Sequence, residues 1–340
     1  MSLSRRNLLI GAASLAAAGP VHALSQKMQN RELVLGSGSS RYLWVGDWLD
    51  IPDDYRLGDT HGVAQDSRGH IYLAHTVHPS SKSKDAILVF DEAGRFLRSW
   101  GDRFQGGAHG LDLRKEGEHE YLYHCDVAHR VVVKTKLDGT VVWEKSTPPE
   151  FGEYASKNLP YIPTNVAFGD HGEFYVADGY GSNWIHRYDL AGNYLQTFGG
   201  PGSEPGKVQQ PHGLWVDRRG PEPLLAVADR ANRRIQYFSL DGKHHSFVKN
   251  GMRLPCHFSI QNGKMLVPDL ESVITILDER NDVITHLGDG HPSGLRDHPR
   301  NDFVPTKFIH PHDAMFLRNG DILVAEWVPI GRVTLLRSLN

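Results

Sequence analysis

One stretch of the chain decides the fold: residues 165–199 read NVAFGDHGEFYVADGYGSNWIHRYDLAGNYLQTFG. Short apolar segments with period-two alternation are separated by turns rich in Asp, Gly and Asn, which is the pattern of strands joined by hairpins. The stretch therefore predicts four consecutive antiparallel strands. Its second apolar segment ends in an acid, Asp178, followed by Gly179 and Tyr180.

The same unit recurs along the chain of 340 residues, at spacings of 45 to 56 residues. Its copies begin at His61, His109, Asn165, His212, His257 and His312. Such a spacing is typical of four-stranded propeller blades. The last copy lacks a fourth strand, which residues 41–48 can supply from before the first copy. We therefore predict an all-β, six-bladed β-propeller as a single domain over residues 24–340, closed by its N-terminal segment.

The first 23 residues have the features of an export signal. Arg5 and Arg6 lie in a twin-arginine pattern, a short alanine-rich stretch follows, and Val21, His22 and Ala23 form a small-residue cleavage site. The stretch is too short and too weakly apolar for a membrane span. We expect a periplasmic or secreted protein with no membrane association after signal removal.

Charge excludes one class of partner. The net charge of −3 gives no electrostatic basis for nucleic-acid binding. We expect a monomer that acts on a small-molecule or peptide substrate. Cys125 and Cys256 would be able to pair in an oxidising compartment, but we expect two free thiols.

Histidine occupies five of the six repeat positions, and Asn165 occupies the sixth. The first strand of each blade lines the channel, so equivalent positions form a ring. The second strand runs back to the same face, where it ends in His75, Asp126, Asp178, Asp229, Asp269 and Glu326. The sequence therefore predicts that histidines and acids gather at one mouth of the channel.

Converging neutral imidazoles suit a transition metal, most often zinc. Alternate blades are about 120 degrees apart, so one natural triad is His109, His212 and His312. The other alternate set, His61, Asn165 and His257, is less complete. The acids would either orient imidazole N–H groups or cap turns, and the sequence leaves both roles open.

Several segments resemble known families. Residues 227–236, VADRANRRIQ, are close to the signature of NHL-repeat propellers. Residues 163–167, residues 176–180 and the segments around His109, His212 and His312 resemble peptidyl-α-hydroxyglycine α-amidating lyase. The resemblance spans blades 1 to 6 and is clearest in blades 2, 3, 4 and 6.

The resemblance implies a catalytic zinc, a structural calcium and a lyase reaction. The zinc ligands that it implies are His109, His212 and His312, and the catalytic tyrosine is Tyr180. The calcium ligands that it implies are the Asp313 carboxylate and the carbonyls of Val63 and Leu111. The reaction that it implies splits a hydroxyglycine-extended peptide into an amidated peptide and glyoxylate.

The sequence also departs from that family. The arginine that follows a blade-1 histidine in the family is Thr76 here, after His75, and a methionine beside the third zinc ligand is His310. His61 and His257 have no counterpart in the family. Together with His75, Asn165 and His310 they are further candidate channel residues. Arg230 is the candidate to bind a carboxylate in place of the missing arginine.

Three functions remain in competition at this stage. The first is a metal-dependent lyase that cleaves a C–N bond, in which Tyr180 transfers a proton. The second is a non-enzymatic NHL-propeller binding module, because fold alone does not fix function. The third is a metal-dependent hydrolase of the lactonase type. Five imidazoles argue against a calcium-dependent lactonase, since calcium prefers oxygen ligands.

Overall fold

The computed structural model describes residues 33–340, so the predicted export signal over residues 1–23 lies outside the described residues. Six antiparallel sheets form the blades of a propeller, which confirms the predicted fold. Among the described residues, no helix is long and apolar enough to cross a membrane.

In each of the first three blades, the strands follow one another in chain order from the innermost strand at the channel to the outermost strand. Blade 1 comprises β3 (Thr60–Gln65), β4 (Ile71–His75), β5 (Ile87–Phe90) and β6 (Phe96–Trp100). Blade 2 comprises β7 (Ala108–Glu116), β8 (His119–Asp126), β9 (Val131–Lys136) and β10 (Val141–Lys145). Blade 3 comprises β11 (Asn165–Phe168), β12 (Phe174–Ala177), β13 (Trp184–Tyr188) and β14 (Tyr194–Gly199). A short helix, α1 (Glu153–Lys157), lies in the insertion between blades 2 and 3.

Blades 4 to 6 repeat this order. Blade 4 comprises β15 (Pro211–Asp217), β16 (Leu224–Asp229), β17 (Arg234–Ser239) and β18 (His244–Val248). Blade 5 comprises β19 (Ser259–Gln261), β20 (Lys264–Asp269), β21 (Val273–Leu277) and β22 (Val283–Leu287). Blade 6 begins with β23 (Pro311–Phe316), β24 (Ile322–Glu326) and β25 (Arg332–Ser338).

The N-terminal segment closes the ring, as the short last repeat predicts. Strand β2 (Ser40–Gly46) pairs antiparallel with β25, with Trp44 opposite Leu336. A further strand, β1 (Val34–Ser37), pairs with β2 and makes blade 6 five-stranded. The sequence did not indicate this fifth strand. Pairing the two ends of the chain in one sheet covers the edge that β25 would otherwise expose.

Apolar side chains between adjacent blades form the core. Between blades 1 and 2, for example, Ile87, Val89, Leu122 and Val133 are fully buried. Burying each such side chain contributes about 1.5–3 kcal/mol, so the sheets pack face to face and hold the innermost strands around the axis. Both cysteines are buried free thiols.

Candidate metal centre

A β-bulge in the innermost strand places four histidines at the channel mouth. In blade 1, Thr60 pairs with His75 and Gly62 pairs with Ala74, so His61 is the extra residue of the bulge. The same register shift occurs at the histidines of blades 2, 4 and 6, namely His109, His212 and His312. A bulge redirects the extra side chain, and here all four lie around one point on the axis.

Asn165 and His257 do not share this position, which differs from the ring expected from the sequence. Asn165 pairs with Ala177 in regular register, as Asp313 pairs with Ala325. Pro255 forms a bridge with Asp269 in blade 5, and Pro311 pairs with Glu326 at the equivalent position of blade 6. His257 and Asp313 each lie two residues after that proline. Asn165, His257 and Asp313 therefore form a second layer, one residue further into the channel.

Blade 5 presents a cysteine at the position that carries histidine in four other blades. Cys256 follows Pro255 as His61 follows Thr60. Burial raises the pKa of this thiol to about 12, although Arg230 opposes the shift. The thiol therefore stays protonated near neutral pH. The spacing of the repeats did not reveal this equivalence, because it depends on where the bulge falls.

Each of the four imidazoles lies against at least two of the others. Ligand nitrogens of His61, His109 and His312 lie within 4.8 Å of one another. Nε2 of His212 lies 3.3 Å from Nε2 of His109, and the rings of His212 and His312 have centroids 4.6 Å apart. All four side chains are buried. Nitrogens grouped in this way could hold one transition metal, for which Zn–N distances are about 2.0–2.1 Å.

Main-chain carbonyls orient three of these imidazoles in the same way. His109 Nδ1 donates to the carbonyl of Thr164 at 2.9 Å, and His212 Nδ1 donates to the carbonyl of Cys256 at 2.8 Å. His312 Nδ1 donates to the carbonyl of His61 at 2.9 Å. Such bonds fix the tautomer and leave Nε2 free to bind a metal. The residues therefore fit a three-histidine site.

The glycine after the histidine permits this bond. A Cβ on Gly110 would lie 2.4 Å from the Thr164 carbonyl oxygen, and a Cβ on Gly213 would lie 2.3 Å from that of Cys256. Only a residue without a side chain allows the neighbouring blade to approach so closely. The His-Gly pair is thus the local sequence that brings an acceptor to His109 and His212, whereas His312 makes the same kind of bond although Asp313 follows it.

Burial keeps the histidines neutral. It lowers the pKa of His109 to about 3, and it holds those of His212 and His312 well below the usual range. Burial, His109 and Arg296 together hold the pKa of His61 well below that range. Neutral imidazole is the form that binds metals, so protons do not compete strongly for these nitrogens at neutral pH.

Tyr180 is in direct contact with two of the histidines. Its hydroxyl oxygen lies 3.0 Å from Nε2 of His212 and 3.2 Å from Nε2 of His109. The guanidinium carbon of Arg230 lies 5.2 Å from the centre of the tyrosine ring. Burial raises the pKa of Tyr180, and Arg230 offsets only part of that rise. With these residues alone the phenol stays protonated.

Arg230 is buried next to this cluster at an exposed fraction of 5%. Its Nε donates to Gln210 Oε1 at 3.3 Å. Its Nη1 lies 3.9 Å from the Cys256 sulfur, which is a weak contact. The guanidinium therefore has no carboxylate partner among the described residues. A buried cation of this kind is suited to bind an anionic group of a ligand.

The six residues at the ends of the second strands cap loops instead of orienting the histidines. Asp126 Oδ1 accepts the amides of Ala128 and His129 at 3.0 and 2.9 Å, and Asp269 Oδ2 accepts that of Leu254 at 2.8 Å. The others that accept main-chain amides in this way are His75, Asp178, Asp229 and Glu326. This settles the alternative left open by the sequence in favour of turn capping.

Arg296 lies near the position where the blade-1 arginine is absent, a placement that repeat spacing did not predict. It belongs to the loop between β22 and β23, and its Nη2 donates to Asp59 Oδ1 at 2.8 Å. Asp59 in turn accepts the amide of Thr76 through its carbonyl at 3.0 Å. The guanidinium carbon lies 3.7 Å from the ring centre of Trp327, and Nε is buried without a partner.

A cavity of about 360 Å³ adjoins this arginine. His310 and Trp327 also line it. Nδ1 of His310 donates to the Leu270 carbonyl at 2.6 Å, so His310 is directed towards blade 5 and away from the four histidines. The loop that carries Arg296 is an insertion, and repeat spacing carries no information about where its side chains lie.

The residues implied as calcium ligands do not fit that ion. Asp313 Oδ1 accepts from His257 Nδ1 at 2.6 Å, and Oδ2 accepts the Val63 amide at 2.9 Å. Both carboxylate oxygens are therefore occupied by donors. The third implied ligand, Leu111, is buried and lines, with Asp313, a small cavity of about 10 Å³ beside the four histidines. Burial alone would lower the pKa of His257, but Asp313 and Asp112 raise it to about 10.

Comparison with known proteins gives relatives over parts of the chain, and no family model matches. A human NHL repeat-containing protein 3 is 30% identical over 201 residues, covering 57% of this chain and 55% of that protein. A rat peptidylglycine alpha-amidating monooxygenase is 29% identical over 83% of this chain and 31% of that protein. A probable peptidyl-alpha-hydroxyglycine alpha-amidating lyase of Caenorhabditis elegans is 27% identical over 54% and 56%. The chain thus spans about half or less of the length of these relatives.

Solved structures support the fold independently. A streptogramin B lyase superposes with a TM-score of 0.58 at 13% identity, covering 88% of this chain and all of that chain. A virginiamycin B lyase from Staphylococcus aureus gives 0.54 at 13% identity, covering 87% and 99%. At this identity the likeness concerns the fold alone. The chain is therefore a six-bladed β-propeller that is similar in sequence to NHL repeat-containing proteins and to peptidyl-α-hydroxyglycine α-amidating lyases.

Proposed function

We propose that this protein is a metal-dependent lyase that cleaves the C–N bond of an α-hydroxy-amide substrate. The observation that carries the proposal is the contact of the Tyr180 hydroxyl with Nε2 of both His109 and His212, at 3.2 and 3.0 Å. His109, His212 and His312 would hold a zinc or similar ion, which would supply Lewis-acid polarisation of the substrate hydroxyl. A proton-transfer group therefore lies directly beside the proposed ligands.

The reaction requires one proton to move from oxygen to nitrogen. The bond between the α carbon and the amide nitrogen breaks, the hydroxyl loses its proton to become the glyoxylate carbonyl, and the leaving amide gains a proton. Tyr180 is the group that exchanges protons with these two atoms, because its hydroxyl is both donor and acceptor. Arg230, 5.2 Å from the ring centre, favours the ionised form of the phenol during the transfer.

Two arginines are suited to bind the carboxylate of such a substrate. Arg230 has no acidic partner among residues 33–340, and Arg296 has a buried Nε without a partner. Guanidinium groups bind carboxylates through paired N–H donors. We propose that they bind the substrate carboxylate in place of the arginine that Thr76 replaces. Arg296 approaches from the loop between blades 5 and 6.

The test is release of glyoxylate from an N-acyl-α-hydroxyglycine by protein loaded with zinc. We expect turnover in the wild type and none after zinc removal. A zinc-loaded, folded protein that releases no glyoxylate from this substrate would exclude the lyase reaction for it. Hydrolysis of a lactone by the same preparation would instead support the hydrolase alternative.

A binding function has one specific observation in its favour. A cavity of about 480 Å³ opens towards the other end of the channel, and its lining includes Trp215, Phe258 and Met315 with the basic side chains Arg114 and Lys115. An apolar pocket with a few polar groups is a typical ligand site. A protein that takes up no transition metal even after incubation with zinc would favour this function over the lyase.

We further propose that the protein works outside the cytoplasm. The support is the twin-arginine pattern at Arg5 and Arg6 with its cleavage site near Ala23. The test is fractionation of cells that produce the full chain, with the Arg5→Lys, Arg6→Lys double variant as control. Equal export of both would contradict the proposed twin-arginine route.

A further inference from the structure

Four buried polar side chains form an axial cluster in the second layer of the channel: Asp112, Asn165, His257 and Asp313. They come from blades 2, 3, 5 and 6, so their contacts cross the channel instead of following one sheet. Each of the four is at most 8% exposed. Buried polar groups of this kind require partners.

The four side chains satisfy one another. His257 Nδ1 donates to Asp313 Oδ1 at 2.6 Å, and the Asn165 amide nitrogen donates to Asp112 Oδ2 at 2.7 Å. His257 Nε2 lies 3.2 Å from the same amide nitrogen and 3.5 Å from Asp112 Oδ1. His257 is therefore the central member, since it lies between the two carboxylates.

We propose that His257 takes the place of a calcium ion on the channel axis, so that this protein joins its opposite blades through hydrogen bonds and without that metal. Calcium needs six to eight oxygen ligands at about 2.3–2.6 Å. Here the imidazole fills the space next to Asp313, and the Val63 amide occupies its other oxygen at 2.9 Å. An ion bound to Asp313 would have to displace one of these donors.

The position of His257 also separates two cavities. It lines the small cavity of about 10 Å³ beside the four histidines and the cavity of about 480 Å³ towards the opposite face. Asp112 lines only the larger one, and Asp313 lines only the smaller one. The axial cluster therefore separates the larger cavity from the candidate metal centre.

The first experiment measures calcium in the wild type, and it does not depend on the proposed lyase function. Untagged protein is equilibrated with zinc and calcium and passed into calcium-free buffer. Its metal content and unfolding temperature are then measured with and without added calcium chloride. We expect no stoichiometric calcium and no shift of the unfolding temperature. About one retained calcium per chain, or a clear stabilisation by calcium, would overturn the proposal.

The second experiment removes the imidazole. His257→Gly leaves Asp112 and Asp313 facing a vacated space, and we expect calcium to raise the unfolding temperature of this variant by several degrees, with magnesium less effective because it accepts a narrower geometry. The control is His124→Gly, another buried histidine, which bonds only to Thr135 in blade 2 and should not respond. A folded His257→Gly protein without a calcium response would contradict the substitution of ion by imidazole. If this variant does not fold, the wild-type measurement still decides.

Discussion

The hydroxyl of Tyr180 lies between the Nε2 atoms of two histidines from different blades, at 3.0 Å from that of His212 and 3.2 Å from that of His109. Blade 3 contributes no histidine to this layer, because its innermost strand has no bulge at Asn165. Tyr180 fills the resulting gap from the loop after β12. Tyr180, the proposed proton-transfer group, and the proposed ligands are thus adjacent because one blade departs from the repeat.

We expect Tyr180→Phe to abolish glyoxylate release while leaving bound zinc unchanged. The substitution removes the hydroxyl and keeps the ring that packs near Arg230. Loss of general acid–base catalysis lowers turnover by roughly 10²–10⁴-fold. The measurement is kcat together with metal content by elemental analysis. Unchanged turnover at equal zinc would show that Tyr180 only packs at the rim.

Metal content should distinguish His212 from His61, which both lie beside His109 and His312. His212 Nδ1 is fixed by a main-chain carbonyl, whereas Nδ1 of His61 lies 3.3 Å from Nε2 of His312. We therefore expect His212→Ala to lose zinc. Its zinc affinity should fall by more than the roughly 10–100-fold that follows loss of a hydrogen-bond partner of a ligand. His61→Ala should retain about one zinc per chain. The reverse result would assign the third ligand to His61.

Arg296 should affect substrates that carry a carboxylate. We expect Arg296→Gln to raise KM for an N-acyl-α-hydroxyglycine by roughly 10-fold or more, since a charged hydrogen bond contributes about 1.5–3 kcal/mol. A substrate with a carboxamide in place of the carboxylate should be unaffected. The control is Arg300→Gln in the same loop, an exposed residue that bonds to Asp47. Equal KM values for wild type and Arg296→Gln would remove this residue from the site.

Buried histidines outside the metal centre should make the fold sensitive to acid. Burial, assisted by Arg103, lowers the pKa of His124 to about 3, whereas an unfolded histidine has a pKa of about 6.5. Below that value the unfolded state binds a proton that the folded state excludes. Stability is therefore lost as pH falls from about 6.5 towards 3, at up to about 1.4 kcal/mol per pH unit for this group.

His124→Gln should reduce that slope. The check is the free energy of unfolding in urea at about pH 6 and about pH 4.5, within the window in which the two states differ in bound protons. His119→Gln serves as the control, because His119 lies in the same strand at an exposed position. A slope that is identical in wild type and His124→Gln would mean that His124 is not excluded from protonation in the folded state.

The sequence by itself determined the number of blades and the closure of the ring. Alternating apolar segments and turns recur at spacings of 45 to 56 residues. They depend on local strand and hairpin preferences, so the number of repeats is present in the sequence itself. The shortened last repeat required a strand from elsewhere, and residues 41–48 had the right pattern. Histidines at one channel mouth followed from strand direction alone.

Only the tertiary structure decided which of these residues share a layer. A bulge adds one residue to a strand, and a shift of one residue changes both the depth and the direction of a side chain. His61 and Cys256 therefore occupy equivalent positions, while His257 lies deeper and joins Asp313. Arg296 reaches Asp59 from an insertion whose path depends on long-range contacts. Repeat spacing records neither bulges nor loop paths, because both are set by packing between segments far apart in the chain.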